Sequence, residues 1–460
     1  MNKTDKKDFT TELKNLLDES ELLTDAKVCA PYGTDKWFAT ALPDAVVLPR
    51  SALTVSKVLR FANEHKIPVT ARGAGHGYVG ACIPVNGGIV ISTERLNKIK
   101  EINSGDYVVV VEPGVRTQIL QDEVEKLGLF YPPDPASRNE CSIGGNIATN
   151  AGGPRCLKYG VTRDYVLGLE VVLADGTIVR LGGRTHKNKA GFDLHRLFVG
   201  SEGMLGIVTE ITLKLLPLPP YRALLVCGFS TAALAASALR AVLRAGFLPC
   251  ALEIADEFTL AAARKRTKSK RLEGSNSMLF IELDGFEKSV CSELSMVEEI
   301  VNQFNPMFID RAFGGAECEK LWELRREFSY ALRDTGLTKL NEDIVVPRSR
   351  LEELFIFAAQ LQKKYGFPVA CFGHAGDGNI HTNIMVDFNQ PGSEERSKQA
   401  LNELFRQIIA WGGSITGEHG IGLAKKQWWQ SSLSRESVEL HKKIKQTLDP
   451  NGILNPGKFI

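Results

Sequence analysis

Ala71-Arg72-Gly73-Ala74-Gly75-His76-Gly77-Tyr78-Val79-Gly80 follows a short β-type run, Pro68-Val69-Thr70-Ala71. It contains Gly75-x-Gly77-x-x-Gly80, and Glu94 lies about twenty residues on, so it matches the dinucleotide fingerprint in form. That fingerprint needs a helix opening at its third glycine. Here Ala81-Cys82-Ile83-Pro84-Val85-Asn86-Gly87-Gly88 follows, then a second β-type run, Ile89-Val90-Ile91. No crossover helix fits, which argues against a Rossmann fold. A loop that presents several backbone N–H groups can still hold a phosphate without one.

Two further glycine-rich stretches lie downstream. Cys141-Ser142-Ile143-Gly144-Gly145-Asn146-Ile147-Ala148-Thr149-Asn150-Ala151-Gly152-Gly153-Pro154 is built from small residues that make a poor helix or strand core. The spacing of Ile143 and Ile147 predicts an ordered loop. Gly200-Ser201-Glu202-Gly203-Met204-Leu205-Gly206-Ile207-Val208 again leads a glycine turn into a β-type run. None of the three carries the Gly-Lys-Ser/Thr of a P-loop. Together they suggest an extended dinucleotide lying against a sheet.

Around these loops, residues 43–217 alternate short β-type runs with helical patterns at 54–65 and 117–127. Pro217-Leu218-Pro219-Pro220 ends regular structure and marks the best domain boundary. Beyond it, longer helices are expected at 232–245, 289–304, 350–365, 394–411 and 435–448. Strands are expected at 223–229, 278–283, 369–372 and 380–386. That pattern predicts an α+β domain with a mostly antiparallel sheet.

The C-terminal part carries His374-Ala375-Gly376-Asp377-Gly378-Asn379-Ile380-His381 and Gly417-Glu418-His419-Gly420. Three of the chain's eight histidines sit here, on glycine-rich connections. His374 and His381 flank a tight loop between two expected strands, so both can face one side of a sheet. Glu418 follows the strand-like Gly413-Ser414-Ile415-Thr416. Two imidazoles and one carboxylate, His374, His381 and Glu418, leave open positions on a metal, as in a catalytic site.

Bulk properties narrow the class. A chain of 460 residues exceeds one ordinary core, so two or three domains are expected. A net charge of +2 argues against nucleic acid as main partner. The basic run at 264–271 reads as a solvated loop or helix end. Nine scattered cysteines without a Cys-x-x-Cys pair argue against an iron–sulfur cluster or disulfide framework, and for a cytoplasmic protein. The polar N-terminus has no apolar core of a secretory signal, and Arg240 and Arg244 break the most apolar stretch, so no membrane span is expected.

The chain resembles the flavin-dependent oxidoreductases of the vanillyl-alcohol oxidase/p-cresol methylhydroxylase superfamily. Within it, the chain is most similar to the glycolate oxidase flavin subunit, D-lactate dehydrogenase and D-2-hydroxyglutarate dehydrogenase branch. The resemblance is carried by the 72–80 loop, Pro133-Asp134-Pro135, residues 142–154, Tyr159-Gly160, residues 200–208, both histidine motifs and Asp449-Pro450-Asn451-Gly452-Ile453-Leu454-Asn455-Pro456-Gly457-Lys458. It covers nearly the whole chain. It implies an FAD domain of two α+β subdomains at 1–217, a cap domain at 218–415 and a tail, 416–460, returning to the FAD domain.

The resemblance also implies site residues. Backbone contacts to the pyrophosphate map to Arg72, Gly73, Ala74, Gly75, His76 and Gly77, and to Ser142, Gly144, Gly145 and Asn146. Further FAD contacts map to Pro133, Asp134, Asn150, Gly152, Gly153, Glu202, Gly206, Ile207 and Val208, with Asn455 and Lys458 closing the site from the tail. A divalent metal, zinc or manganese, would chelate a small 2-hydroxy acid such as glycolate or D-lactate, and His419 would take the hydroxyl proton. Arg325, in the family's Trp-x-x-Arg element, would pair with the substrate carboxylate, with Lys339 a weaker candidate. The electron acceptor is open: oxygen, a quinone, or a separate iron–sulfur or electron-transfer protein. A homo-oligomer and a peripheral place at the inner membrane face are compatible with the family.

One departure concerns His76, where this branch usually carries a small polar residue. Its loop is instead similar to the berberine-bridge branch, in which that histidine is tethered to the flavin C8-methyl. His76 is either tethered or a hydrogen-bonding neighbour. Two other functions compete. A non-redox flavoenzyme similar to alkylglycerone-phosphate synthase would carry a different histidine cluster, and a non-flavin metallohydrolase would be colourless.

Overall fold

The computed structural model describes residues 3–460, with side chains from Phe9 onward; Met1 and Asn2, the start of the polar N-terminus, lie outside the described residues. The chain divides into two compact units. One joins Met1–Ala151, Val161–Leu218 and Glu418–Ile460; the other joins Gly152–Gly160 and Pro219–Gly417. The proline cluster at 217–220 therefore marks a division. The short strap Gly152–Gly160, which carries no such punctuation, groups with the second unit.

The first unit holds two main sheets. In one, strands Leu22–Leu23, Ala45–Val47, Ile89–Ser92 and Val69–Arg72 lie side by side in that order, the last three parallel. Helix Ala52–His65 is capped where Ser51 accepts from the Thr54 N–H. It buries Val55, Val58, Leu59 and Ala62 in one core with Ala45, Val47, Ile89 and Ile91. The parallel neighbours Val69–Arg72 and Ile89–Ser92 are joined by residues 73–88, which contain no helix. That absence is what separates this loop from a dinucleotide fingerprint. In the other sheet, Ile99–Asn103, Val108–Val111, Ile207–Lys214, Val166–Val172 and Ile178–Gly182 are antiparallel. Strand Ile207–Lys214 alternates buried and half-buried positions, the period of a strand covered on one face. The tail returns to the first sheet, where Leu454 bridges Val69 and the Asn455 N–H donates to the Val69 carbonyl.

The second unit is built on seven antiparallel strands in the order Phe308–Phe313, Tyr221–Phe229, Ser277–Gly285, Ala251–Ala255, Val369–His374, Asn379–Val386 and Thr338–Val345. Helices Glu257–Thr267 and Gly315–Arg333 pack into its core through Leu260, Ala263, Leu321, Trp322 and Phe328. Three strands, 251–255, 308–313 and 338–345, and the helix at 257–267 go beyond the expected elements. Ala251–Ala255 is buried at every position, so it shows no alternation to read. The basic run ends helix Glu257–Thr267, with Arg266 paired to Glu327 and Asp334, as a solvated helix end should be.

Two local expectations are overturned. Residues 143–149, expected as an ordered loop, form helix Ile143–Thr149. Ser142 caps it by accepting from the Gly145 N–H, Ile143 and Ile147 bury on one side, and Asn150 closes it in the left-handed conformation at φ 53°. Capping and burial outweigh the poor propensity of two glycines. Likewise the strand-like residues 413–416 make only a single bridge, Ser414 to Val345.

Candidate functional site

Within the first unit the three glycine-rich stretches converge. A Cβ on Gly73 would lie 2.7 Å from Ser142 Oγ and 3.3 Å from the Gly145 nitrogen, so only glycine lets the two segments approach. The third stretch closes on the same helix, where the N–H groups of Gly200 and Glu202 donate to the carbonyls of Ile147 and Ala148. Side chains here serve the scaffold. The Arg72 guanidinium donates to the carbonyls of Thr34 and Pro31. Asn146 donates to Thr117 Oγ, and Asn150 accepts from the Arg163 N–H. The Pro133 carbonyl accepts from Gln121 beside the half-buried Asp134. Gly206, Ile207 and Val208 open the strand beside Val171 and Val172. Ala74, Gly75 and Gly77 remain as backbone of the first loop. Gly152 and Gly153 belong to the strap, which Lys158 and Tyr159 hold to Asp284 within the second unit.

Glu202 has a specific structural role. It is buried at φ 48°, and its two carboxylate oxygens accept from the N–H groups of Ile421 and Gly422. Its own carbonyl accepts from Asn455. Burial pushes its carboxyl up to about 7 despite those two donors. A Cβ on Gly420, itself at φ 88°, would lie 2.6 Å from Glu202 Oε1. Glu202 is thus a clamp on the turn that follows His419. His419 lies 3.6 Å from Glu418 through Nε2, and its ring stacks at 5.2 Å on Tyr78. His76 pairs through Nδ1 with Glu140 at 3.1 Å, while burial pulls its pKa down. A tether through Nδ1 would have to break that pair. Lys458 is fully buried and donates to the Ile83 carbonyl.

The second unit brings together the imidazoles. His374 ends strand Val369–His374 and His381 lies in Asn379–Val386. His374 faces Asn379 across the pair, two residues from His381, so both rings share one face. The rings are 5.5 Å apart and buried. His374 and His381 belong to the second unit, and Glu418, which follows Gly417, opens the last segment of the first. Two imidazole nitrogens and a carboxylate oxygen are the donor set of a divalent-cation site.

Two buried carboxylates support this set, and the sequence reading missed both. Asp343, opposite His381 in the register, accepts from Asn379 Nδ2, Thr416 Oγ1 and the Gly417 N–H. It fixes the residue that precedes Glu418. Glu253 accepts from His374 Nδ1 at 2.6 Å and from Arg325 Nε at 2.8 Å. Burial alone would raise its pKa, but its two partners, His374 and Arg325, outweigh that and hold it at about 2. The one available sign was a lone acid in the apolar run Ala251-Leu252-Glu253-Ile254-Ala255. The Nε and Nη2 of Arg325 both donate to Glu253, so that edge of the guanidinium is taken up by it. Arg326 is exposed and pairs with Glu319. Lys339 donates to Ser329 Oγ, and burial pushes its ammonium down to about 8.

Residues 43–182 match the family model described as FAD binding domain, and residues 218–459 match FAD linked oxidases, C-terminal domain. The chain belongs to the FAD-linked oxidases. It is an FAD-linked oxidoreductase of the vanillyl-alcohol oxidase/p-cresol methylhydroxylase superfamily. It is 40% identical over 419 residues to the glycolate oxidase subunit GlcD of Bacillus subtilis, covering 91% of this chain and 89% of that protein. It is 35% identical over 462 residues to the mitochondrial D-lactate dehydrogenase (cytochrome) of Arabidopsis thaliana, covering 99% and 80%. Among solved structures, p-cresol methylhydroxylase aligns with a TM-score of 0.81 at 20% identity, over 100% of this chain and 97% of that one. Alkyldihydroxyacetonephosphate synthase aligns at 0.76 and 22%, over 98% and 85%. At such identities the last two show the fold, α+β with mostly antiparallel sheets, and nothing of the chemistry. Among the described residues, no helix is long and apolar enough to cross a membrane.

Proposed function

We propose that this FAD-linked oxidoreductase oxidises a small D-2-hydroxy acid, glycolate or D-lactate, to the 2-oxo acid. The observation that carries the reading is the His374, His381 and Glu418 set, held by buried Glu253 and Asp343, in a chain whose full-length relatives bear the names glycolate oxidase subunit and D-lactate dehydrogenase. Residues 1–217 would hold the cofactor, 218–415 would form the substrate domain, and 416–460 would carry Glu418, His419 and Asn455.

Bound FAD supplies a two-electron acceptor, and a bound divalent cation, zinc or manganese, supplies a Lewis acid for the substrate hydroxyl. The chain's own residues do the rest. The glycine-rich backbone of residues 72–77, 142–146 and 200–208, whose first two segments meet where Gly73 packs on Ser142, would offer main-chain N–H groups to a pyrophosphate. His374, His381 and Glu418 would ligate the cation. His419, covalently next to Glu418, would accept the hydroxyl proton as the Cα hydrogen leaves with its electron pair. The electrons would then pass to a separate acceptor, an electron-transfer protein or a quinone. A cytoplasmic enzyme at the inner face of a membrane, self-associating or with a partner subunit, agrees with this scheme.

An anaerobic absorption spectrum tests it. Purified protein should be yellow and should bleach with glycolate or D-lactate but not with L-lactate. A flavin that no 2-hydroxy acid bleaches would refute the substrate class. Acid precipitation decides between the two roles of His76. Flavin in the pellet means a tether; flavin in the supernatant means a neighbour.

A further inference from the structure

Glu253 has zero exposure and stands in a strand whose other four residues are all apolar and buried. A carboxylate there needs partners on both oxygens. Oε1 takes His374 Nδ1 at 2.6 Å; Oε2 takes Arg325 Nε and Nη2. The Arg325 guanidinium is held in turn over the rings of Phe372 and Phe328, at 4.9 and 5.4 Å. The chain Phe372, Arg325, Glu253, His374 is therefore continuous.

We propose that Glu253 is a positioning residue that sets the tautomer of His374, and that Arg325 holds Glu253 in place for it. This rests on the metal reading above. An ionised carboxylate only accepts hydrogen bonds, so the proton of a neutral His374 must sit on Nδ1. The lone pair is then on Nε2, the ring nitrogen that does not face Glu253 and the one that would ligate a cation. Glu253 and Arg325 also form a pair of no net charge. Removing Glu253 alone would leave a buried guanidinium close to an incoming divalent cation, besides freeing the imidazole to exchange tautomers. Arg325 thus acts through Glu253, and does not hold the substrate carboxylate by its paired edge.

The test uses the full-length holo-protein, with Zn2+ as probe. Wild type, Glu253→Gln, His374→Ala and the double variant Glu253→Gln/Arg325→Met are compared. The double variant removes the unpaired buried charge and serves if the single one fails to fold. Folding is followed by flavin content. Zn2+ affinity is measured by competition with a chromophoric chelator, and the tautomer by nitrogen NMR on histidine-labelled protein. The expected result is a Zn2+ Kd raised about 10- to 100-fold in both Glu253 variants. The Nδ1–H signature of His374, seen in wild type, should be lost with flavin retained. Wild-type Kd and an unchanged tautomer in a folded Glu253 variant, when His374→Ala has lost the metal, would overturn this inference alone. Wild-type Kd in His374→Ala would overturn the metal reading and this inference together.

Discussion

Glu202 and Glu253 are both buried glutamates, and their surroundings act on them in opposite directions. Around Glu253, a guanidinium and an imidazole N–H both bond the carboxylate and hold the carboxyl at about 2. Around Glu202, the hydrogen-bond partners are backbone N–H groups, and burial wins, raising it to about 7. The first region is a set of side chains tuned to one another, suited to holding an ion. The second is a scaffold in which a side chain shapes backbone, suited to presenting main-chain groups and the turn after His419. A charged partner hydrogen-bonded to the carboxylate makes an electrostatic site; peptide N–H partners make a clamp.

The largest effect should come from the tuned region. Replacing His374, His381 or Glu418 with alanine should abolish bound metal and turnover while flavin stays bound, as metal analysis and the visible spectrum would show. Flavin loss in step with metal loss would break the separation of the two regions. Next, His419→Ala should keep both groups and slow flavin reduction by on the order of 10²–10⁴, read by stopped flow. A wild-type rate would remove His419 from the chemistry.

The clamp gives a smaller, pH-dependent effect. A carboxyl whose pKa rises from 4.5 to about 7 on folding binds its proton more tightly in the folded state. Glu202 therefore lowers wild-type stability as pH rises from about 4.5 to about 7, with no further loss above. Lys458 and Lys425 are the charged groups that temper this. In Glu202→Gln that fall should be absent, as urea midpoints across the window would show. The smallest effect belongs to the helix cap: Ser142→Ala should cost about 1 kcal/mol and weaken flavin retention.

Much of this was legible in the sequence. His374 and His381 stood out because a tight glycine turn between apolar runs forces two histidines onto one face. The helices at 232–244 and 435–448 had clean periodicity and were expected within a residue. Helix Ile143–Thr149 was not legible, because its cap and its buried isoleucines act through tertiary packing while its glycines argue locally for a loop. The roles of Glu202 and Glu253 were hidden for a related reason. Glu202 meets Ile421, 219 residues away, and Glu253 meets His374, 121 residues away, and no local pattern encodes such a pairing. Arg325 was placed correctly on a helix, but its partner was invisible until Glu253 was seen beside it.

The central claim is that a cation held by His374, His381 and Glu418 is needed for electrons to leave a 2-hydroxy acid for the flavin. The most direct measurement is anaerobic flavin bleaching by D-lactate and glycolate on the same protein before chelation, after chelation and after Zn2+ or Mn2+ is returned. The account predicts retained flavin, bleaching lost on chelation and restored by the metal. Bleaching at an unchanged rate in metal-free protein would contradict it.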